Sequence, residues 1–162
     1  MVNDLTVTLF GRTGLNKSMP VKDVLAMLRD LDLLNVGELA EKAIAKKIGV
    51  AQAGRCTQGC DLVNGWEIKH GQARKANRTT RRRAYVAGLE NKHETLRVVI
   101  TELLTGKLYF FKIPYSAYRY CVGSSINFDF SSQGMPCRHR QREGVRPNFW
   151  DYEVESFDRL CE

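Results

Sequence analysis

The sequence predicts a single α/β domain in which helices come first, a strand meander follows, and mixed elements close the chain. Three observations carry that expectation. A chain of 162 residues, 43% hydrophobic and 27% charged, can bury roughly 70% of its unfolded surface around one core. Apolar residues at helical spacing occupy the first third. Runs of β-branched and aromatic residues, separated by Asn-Gly and Thr-Gly turn signals, occupy the middle.

The elements follow in order. Leu5 to Phe10 reads as a short strand ahead of a glycine-containing turn. Pro20 suits the first turn of a helix running to about Asp32, with Val21, Val24, Leu25 and Leu28 on one stripe. A second helix starts at Asn35 or Gly37, sets Leu39, Ala43, Ile44 and Lys47 against Glu38, Glu41, Lys42 and Lys46, and stops at Gly49. A loop from Gln52 to Gly59 leads into two β segments, Cys60–Val63 and Trp66–His70, around Asn64-Gly65. Leu96–Leu103 is a strand, Thr105-Gly106 turns it, and Lys107–Ile113 returns. Pro114 ends that strand, Tyr115–Cys121 is a short helix, Ser125–Phe130 is a strand, and Phe149–Leu160 is helix or strand.

Composition excludes several classes. No run of 18 apolar residues occurs, so no membrane span is expected. Met1–Phe10 carries Asp4 and no basic stretch ahead of an apolar one, unlike a signal peptide. Five cysteines make an odd count, read as reduced thiols, and the expected setting is intracellular and cytoplasmic. The net charge is +7, which draws polyanions. Six of the eleven residues from Ala73 to Arg83 are basic, a second basic stretch runs from Arg138 to Arg146, and residues 147–162 are acidic. A charge run by itself is a solvated face.

The segment Asp61–Lys69 carries the chemistry. Side chains alternate along a strand, so Glu67 and Lys69 share one face while Trp66 and Ile68 take the other, apolar one. A two-residue turn at Asn64-Gly65 would point Asp61 away from Glu67. A three-residue loop, Val63-Asn64-Gly65, with Gly65 left-handed, would set Asp61 opposite Glu67. Two carboxylates and an amine on one face suit metal-assisted phosphodiester hydrolysis. The carboxylates are hard ligands for Mg²⁺, with Mn²⁺ as a substitute, and the lysine positions the attacking water.

Asp61, then Glu67-Ile68-Lys69 after five intervening residues, in two β segments joined by a turn and entered from a helix, resembles the PD-(D/E)XK nuclease superfamily. The resemblance spans Glu38 to about Ile113, with Cys60 where the motif has proline. It implies a restriction-endonuclease-like α/β core over residues 36–130 of one nuclease domain spanning 1–162, with a mixed central sheet flanked by helices. It also implies a metal held by Asp61 and Glu67, with Glu41 or Glu38 completing the set, and Lys69 as the catalytic lysine. The substrate would be double-stranded DNA, cut in restriction or homing fashion, with Holliday-junction resolution as a related activity. The basic segment 73–83, through Arg74, Lys75, Asn77, Arg78, Arg81, Arg82 and Arg83, would hold the DNA, with Tyr85, Asn91, Lys92 and His93 extending that surface. Cutting both strands calls for a homodimer, with the segment 147–162 as its candidate contact. The alternative is a nucleic-acid-binding protein without catalysis.

Other patterns were weighed against these. Gly11, Lys17 and Ser18 match a phosphate-binding loop, but Asn16 replaces its second glycine and no Mg²⁺-holding aspartate strand follows. Cys56, Cys60, Cys137 and His139 have spacings unlike a zinc site. His70 is expected near the core, and the aromatic cluster from Tyr109 to Tyr120 is expected to pack rather than to stack bases.

Overall fold

A computed structural model describes residues 6–10, 16–20, 36–53, 59–75, 82–89, 93–138 and 147–162. The chain divides into two compact units, Met1–Val36 and Gly37–Glu162. In the first, β1 (Thr6–Phe10) pairs antiparallel with β2 (Asn16–Pro20). Pro20, expected in a helical first turn, instead ends β2, and residues 21–32 lie outside the described residues. Lys17 and Ser18 sit in a strand rather than at the helix N-terminus a phosphate-binding loop needs.

The second unit opens on α1 (Val36–Ile48), with Glu38 in its first turn and Lys46 and Lys47 in its last, each complementing the helix dipole. Gly49 takes φ +69° and Val50 N–H donates to Ala45 O at 3.0 Å, a Schellman stop. The inward stripe is Ala40, Ile44, Ala45 and Ile48; Leu39 and Ala43, expected there, are exposed.

Six strands form one mixed sheet in the order β7–β4–β3–β5–β6–β8. They are β3 (Glu67–Lys75), β4 (Arg82–Val86), β5 (Thr95–Glu102), β6 (Leu108–Pro114), β7 (Ile126–Phe130) and β8 (Glu153–Val154). Only β3 and β5 pair in parallel. Leu96 to Ile100 of β5 are all buried, as a strand covered on both faces requires. The short helix α2 (Tyr115–Tyr118) runs into a 3₁₀ turn, Arg119–Cys121. Another 3₁₀ turn (Phe149–Tyr152), β8 and α3 (Phe157–Cys161) end the chain. The fold is therefore mixed α/β with few helices. Among the described residues, no helix is long and apolar enough to cross a membrane.

Each sheet face carries a core. On one, Ala73, Ala84, Val86, Leu96, Val98 and Ile100 pack with Phe111, Phe128, Phe130, Phe149 and Trp150. On the other, Ile68 and Val99 pack with Ile44 of α1, Leu62 and Leu160 of α3. Phe149, Trp150 and Leu160, within the candidate contact segment 147–162, are buried within the chain. Gly71 sits where the first core is tightest: a Cβ there would stand 2.7 Å from Ile100 Cδ1 and 3.2 Å from the Tyr85 carbonyl oxygen. Gly71→Ala is expected to cost about 1–3 kcal/mol through overpacking, read as a lowered urea midpoint at unchanged slope.

Two expectations need correction. The segment 60–63 is not a strand paired along β3. Leu62 bridges Gln52, with Ala53 N–H donating to Asp61 O at 2.8 Å and Val63 N–H to Ala51 O at 3.1 Å, so its partner is the chain leaving α1. The basic segment does not leave the sheet after His70 either, because β3 runs on to Lys75 and β4 begins at Arg82. Arginines satisfy ladder hydrogen bonds as well as any residue, and β4 is anchored by Ala84 and Val86 beneath them.

Candidate active site

The site forms where the Asp61 turn meets the start of β3. Gly65 takes φ +84° and its N–H donates to Leu62 O at 2.9 Å, while Asp61 and Leu62 N–H both donate to Trp66 O at 3.0 and 3.1 Å. Gly65 is left-handed, as the three-residue loop demands. The Asp61 carboxylate then takes the place of a backbone acceptor: Ile68 N–H donates to its Oδ2 at 2.7 Å. Trp66 is held from the far side by Arg97, whose guanidinium lies 3.1 Å from the ring centroid and whose Nε donates to Leu160 O at 3.1 Å. A buried arginine in β5 thus fixes the residue that precedes Glu67.

Glu67 and Lys69 share a face, and that face is the one over the larger core. Glu67 is only 8% exposed. Its Oε1 is ion-paired with Lys69 Nζ. Burial raises the Glu67 pKa, the Lys69 ammonium opposes the rise, and the Asp61 charge adds to it. Glu41 enters from α1 and accepts from Gln52 Nε2 at 3.3 Å. Burial raises its pKa too, followed by the charge of Asp61. Asp61 is therefore the electrostatic neighbour of both glutamates. Glu38 pairs instead with Lys42 at 2.6 Å, so of the two helix carboxylates left open by the sequence, Glu41 is the one that faces Asp61 electrostatically.

His93 belongs to this site rather than to a DNA-facing surface. Its Nε2 lies 3.7 Å from Glu67 Oε2, shielded from solvent and with no hydrogen-bond partner. Tyr118 holds it there: its hydroxyl accepts from His93 N–H and donates to His93 O, each at 2.8 Å. Glu67, Lys69, Gly88, Leu89, His93, Leu96 and Tyr118 line one small cleft. Sequence reasoning missed this role because His93 and Glu67 are 26 positions apart and only the parallel β3–β5 pairing, with Glu67 opposite Leu96, brings them together. Among the described residues, no three His, Cys, Asp or Glu side chains converge to hold a metal ion.

His70 points to the opposite face, where its Nε2 meets Thr101 Oγ1 at 3.0 Å, and burial lowers its pKa to about 4. The unfolded imidazole, near 6.5, then binds protons that the folded one refuses. Stability contributed by neutral His70 is full above pH 6.5 and is lost as pH falls towards 4, up to about 3 kcal/mol. His70→Gln is expected to flatten the melting temperature across that window in a pH series of thermal melts.

The basic residues divide by face. Arg82 lies on the larger-core face: its Nε donates to Glu102 Oε1 at 2.6 Å and its guanidinium also to Ala73 O at 3.2 Å. That burial makes Arg82 a structural residue, correcting its expected role in DNA contact. Arg83 pairs with Asp129 at 2.8 Å on the opposite face. Arg74 is exposed and donates to the Gln72 side-chain oxygen Oε1 at 2.7 and 3.2 Å. Lys75 ends β3 opposite Arg82. Asn77, Arg78, Arg81, Asn91 and Lys92 lie outside the described residues. Arg74 stands seven residues along β3 from Glu67, about 23 Å at 3.3 Å per residue. Arg74 and Glu67 thus stand near opposite ends of β3, on opposite faces of the sheet. In comparisons with known proteins the chain matches no family model, no curated protein and no solved structure.

Proposed function

We propose that the chain is a divalent-cation-dependent DNA endonuclease with a restriction-endonuclease-like core. The observation that carries this reading is the meeting of Asp61, Glu67 and Lys69 at the start of β3, with Glu41 entering from the preceding helix. The donor types suit Mg²⁺ or Mn²⁺, but Asp61, Glu67 and Glu41 do not converge on one point in this structure, so a cation would have to draw the three carboxylates together. Asp61, Glu67 and Glu41 would hold the cation, which when bound polarises a phosphate oxygen and acidifies a water.

The protein's own groups do the rest. Asp61 is held in place by the Ile68 amide and Glu67 by its strand, so the turn sets their separation. Lys69 occupies one oxygen of Glu67 and must yield it to a cation, which leaves its ammonium free to orient a water or a phosphate oxygen. Gly88, at φ +73°, borders Lys69 Nζ, and its left-handed backbone rather than lack of space is what favours glycine there. Two copies are required to cut both strands of a duplex, by restriction, homing or junction resolution.

The test is cleavage of supercoiled plasmids, phage genomes and branched DNA with Mg²⁺, Mn²⁺ or EDTA. Cutting that needs the cation supports the reading. The closed Glu67–Lys69 pair favours one second reading, a nucleic-acid-binding protein in which these residues form a structural ion pair. DNA binding that survives EDTA, with no strand breakage on any substrate, would establish that instead.

A further inference from the structure

Among the described residues, α1 and α3 cover only part of one sheet face. Beyond Ile68 and Val99, which α1 and α3 bury, that face continues across β3, β4 and β7 as Gln72, Arg74, Arg83, Tyr85, Asn127 and Asp129. The alternation is strict, because the residues between them (Ala73, Ala84, Ile126 and Phe128) are buried in the opposite core. Tyr85 is 50% exposed at the centre of this surface, and among the described residues no other ring packs on it. It faces Asn127 across the β4–β7 ladder. The Arg83 guanidinium donates to Asp129 Oδ1 at 2.8 Å, and Arg74 carries its charge beside the Gln72 side-chain amide.

We propose that this face is a docking platform for single-stranded nucleic acid, with an unpaired base stacked on Tyr85 and the phosphate backbone drawn to Arg74. Three arguments select that occupant. Tyr85 lies on β4, which has neighbours on both sides, so an added peptide strand could join only at the β7 edge and would not lie over the ring. What the surface offers is an aromatic ring flanked by amides and guanidinium groups, on a chain of net charge +7, and each of these matches a base face, a base edge or a phosphate. Bases within a duplex already have their faces stacked, so the ring serves only an unpaired one. The platform lies on the sheet face opposite Glu67 and Lys69 and stands whether or not the carboxylates cut.

The test is fluorescence anisotropy in EDTA, with a short labelled oligothymidylate, its oligouridylate counterpart and a duplex of equal length. Tyr85→Ala is expected to weaken single-strand binding about 5- to 150-fold, the range for one stacked base. Tyr85→Phe retains binding and Tyr85→Trp tightens it, so the inference remains testable if the alanine variant is unstable. Arg74→Ala lowers the salt dependence by about one counterion, whereas Tyr85→Ala leaves the salt slope unchanged. The two labelled strands show whether the platform prefers DNA or RNA. No binding of either single strand, or single-strand binding that ignores every Tyr85 substitution, overturns the proposal.

Discussion

Glu67→Gln is expected to abolish cation-dependent cleavage, lowering the rate at least about a hundredfold, while leaving the fold intact. The side chain is nearly fully buried beside Lys69 and His93, with its pKa raised because burial outweighs the Lys69 ammonium. A raised folded pKa means the charge is disfavoured by the fold, so its stabilising contribution exists at low pH and disappears as pH rises through the folded value. At neutral pH in EDTA, the uncharged isostere should therefore melt no lower than wild type. A bound cation reverses the balance. With the cation at a hundred times its dissociation constant, wild type gains about 2.7 kcal/mol, roughly 5–10 °C for a chain of this size. Glu67→Gln should lose that shift. Lys69→Ala should cut poorly yet keep or enlarge the shift, since it removes the amine that competes for Glu67. Cleavage by Glu67→Gln at the wild-type rate, or a cation shift that neither variant alters, would sink the assignment.

The second large effect is on stability. Glu102→Ala is expected to cost about 3–5 kcal/mol, lowering the melting temperature by roughly 10 °C. Glu102 is 0% exposed, accepting from Arg82 Nε at 2.6 Å, Thr105 N–H at 2.6 Å and Thr105 Oγ1 at 2.9 Å. Gly134, at φ +80°, lies so close that a Cβ would stand 2.8 Å from Glu102 Oε2. One carboxylate thus ties β4, the β5–β6 turn and the loop after β7. Truncating it leaves Arg82 without its counter-ion and strands Arg82 Nε and the Thr105 amide, with only the Arg82 bond to Ala73 O remaining. Burial pushes the Glu102 pKa up, but the hydrogen bonds from Thr105, Leu104 and Arg82 hold it below the ordinary value of 4.5. Its contribution is therefore full above pH 4.5 and lost as pH falls through the folded value. Replacing both partners, Arg82→Met with Glu102→Leu, should recover much of the loss in a urea titration, because no charge is then left buried alone. A double variant as unstable as Glu102→Ala would show that the carboxylate acts through the turn rather than the pair.

The candidate site was partly legible in the chain. The alternation that puts Glu67 and Lys69 on one face and Ile68 on the other is a property of any strand, and the left-handed Gly65 follows from the turn length. The partner of the Asp61 segment was not legible, because an antiparallel hairpin with β3 and a bridge to the chain leaving α1 need the same local sequence. His93 reads as surface in the sequence because it follows Asn91 and Lys92 beyond the basic segment, and nothing local shows that it turns towards Glu67. Arg82 and Arg83 look alike as neighbours in a basic run, yet a strand sends them to opposite faces, one into the pair with Glu102 and the other into the pair with Asp129.

The sequence by itself determined the strands of the central meander, the helix stop at Gly49 and the shared face of Glu67 and Lys69. These depend on local periodicity and on backbone angles that neighbouring residues set. Only the tertiary structure decided that Trp66 rests on Arg97, that Tyr118 holds His93 against Glu67, and that the arginines split between a buried pair and an open face. Those outcomes turn on strand order and on the parallel β3–β5 register, which join residues up to 63 positions apart and leave no periodic trace in the chain.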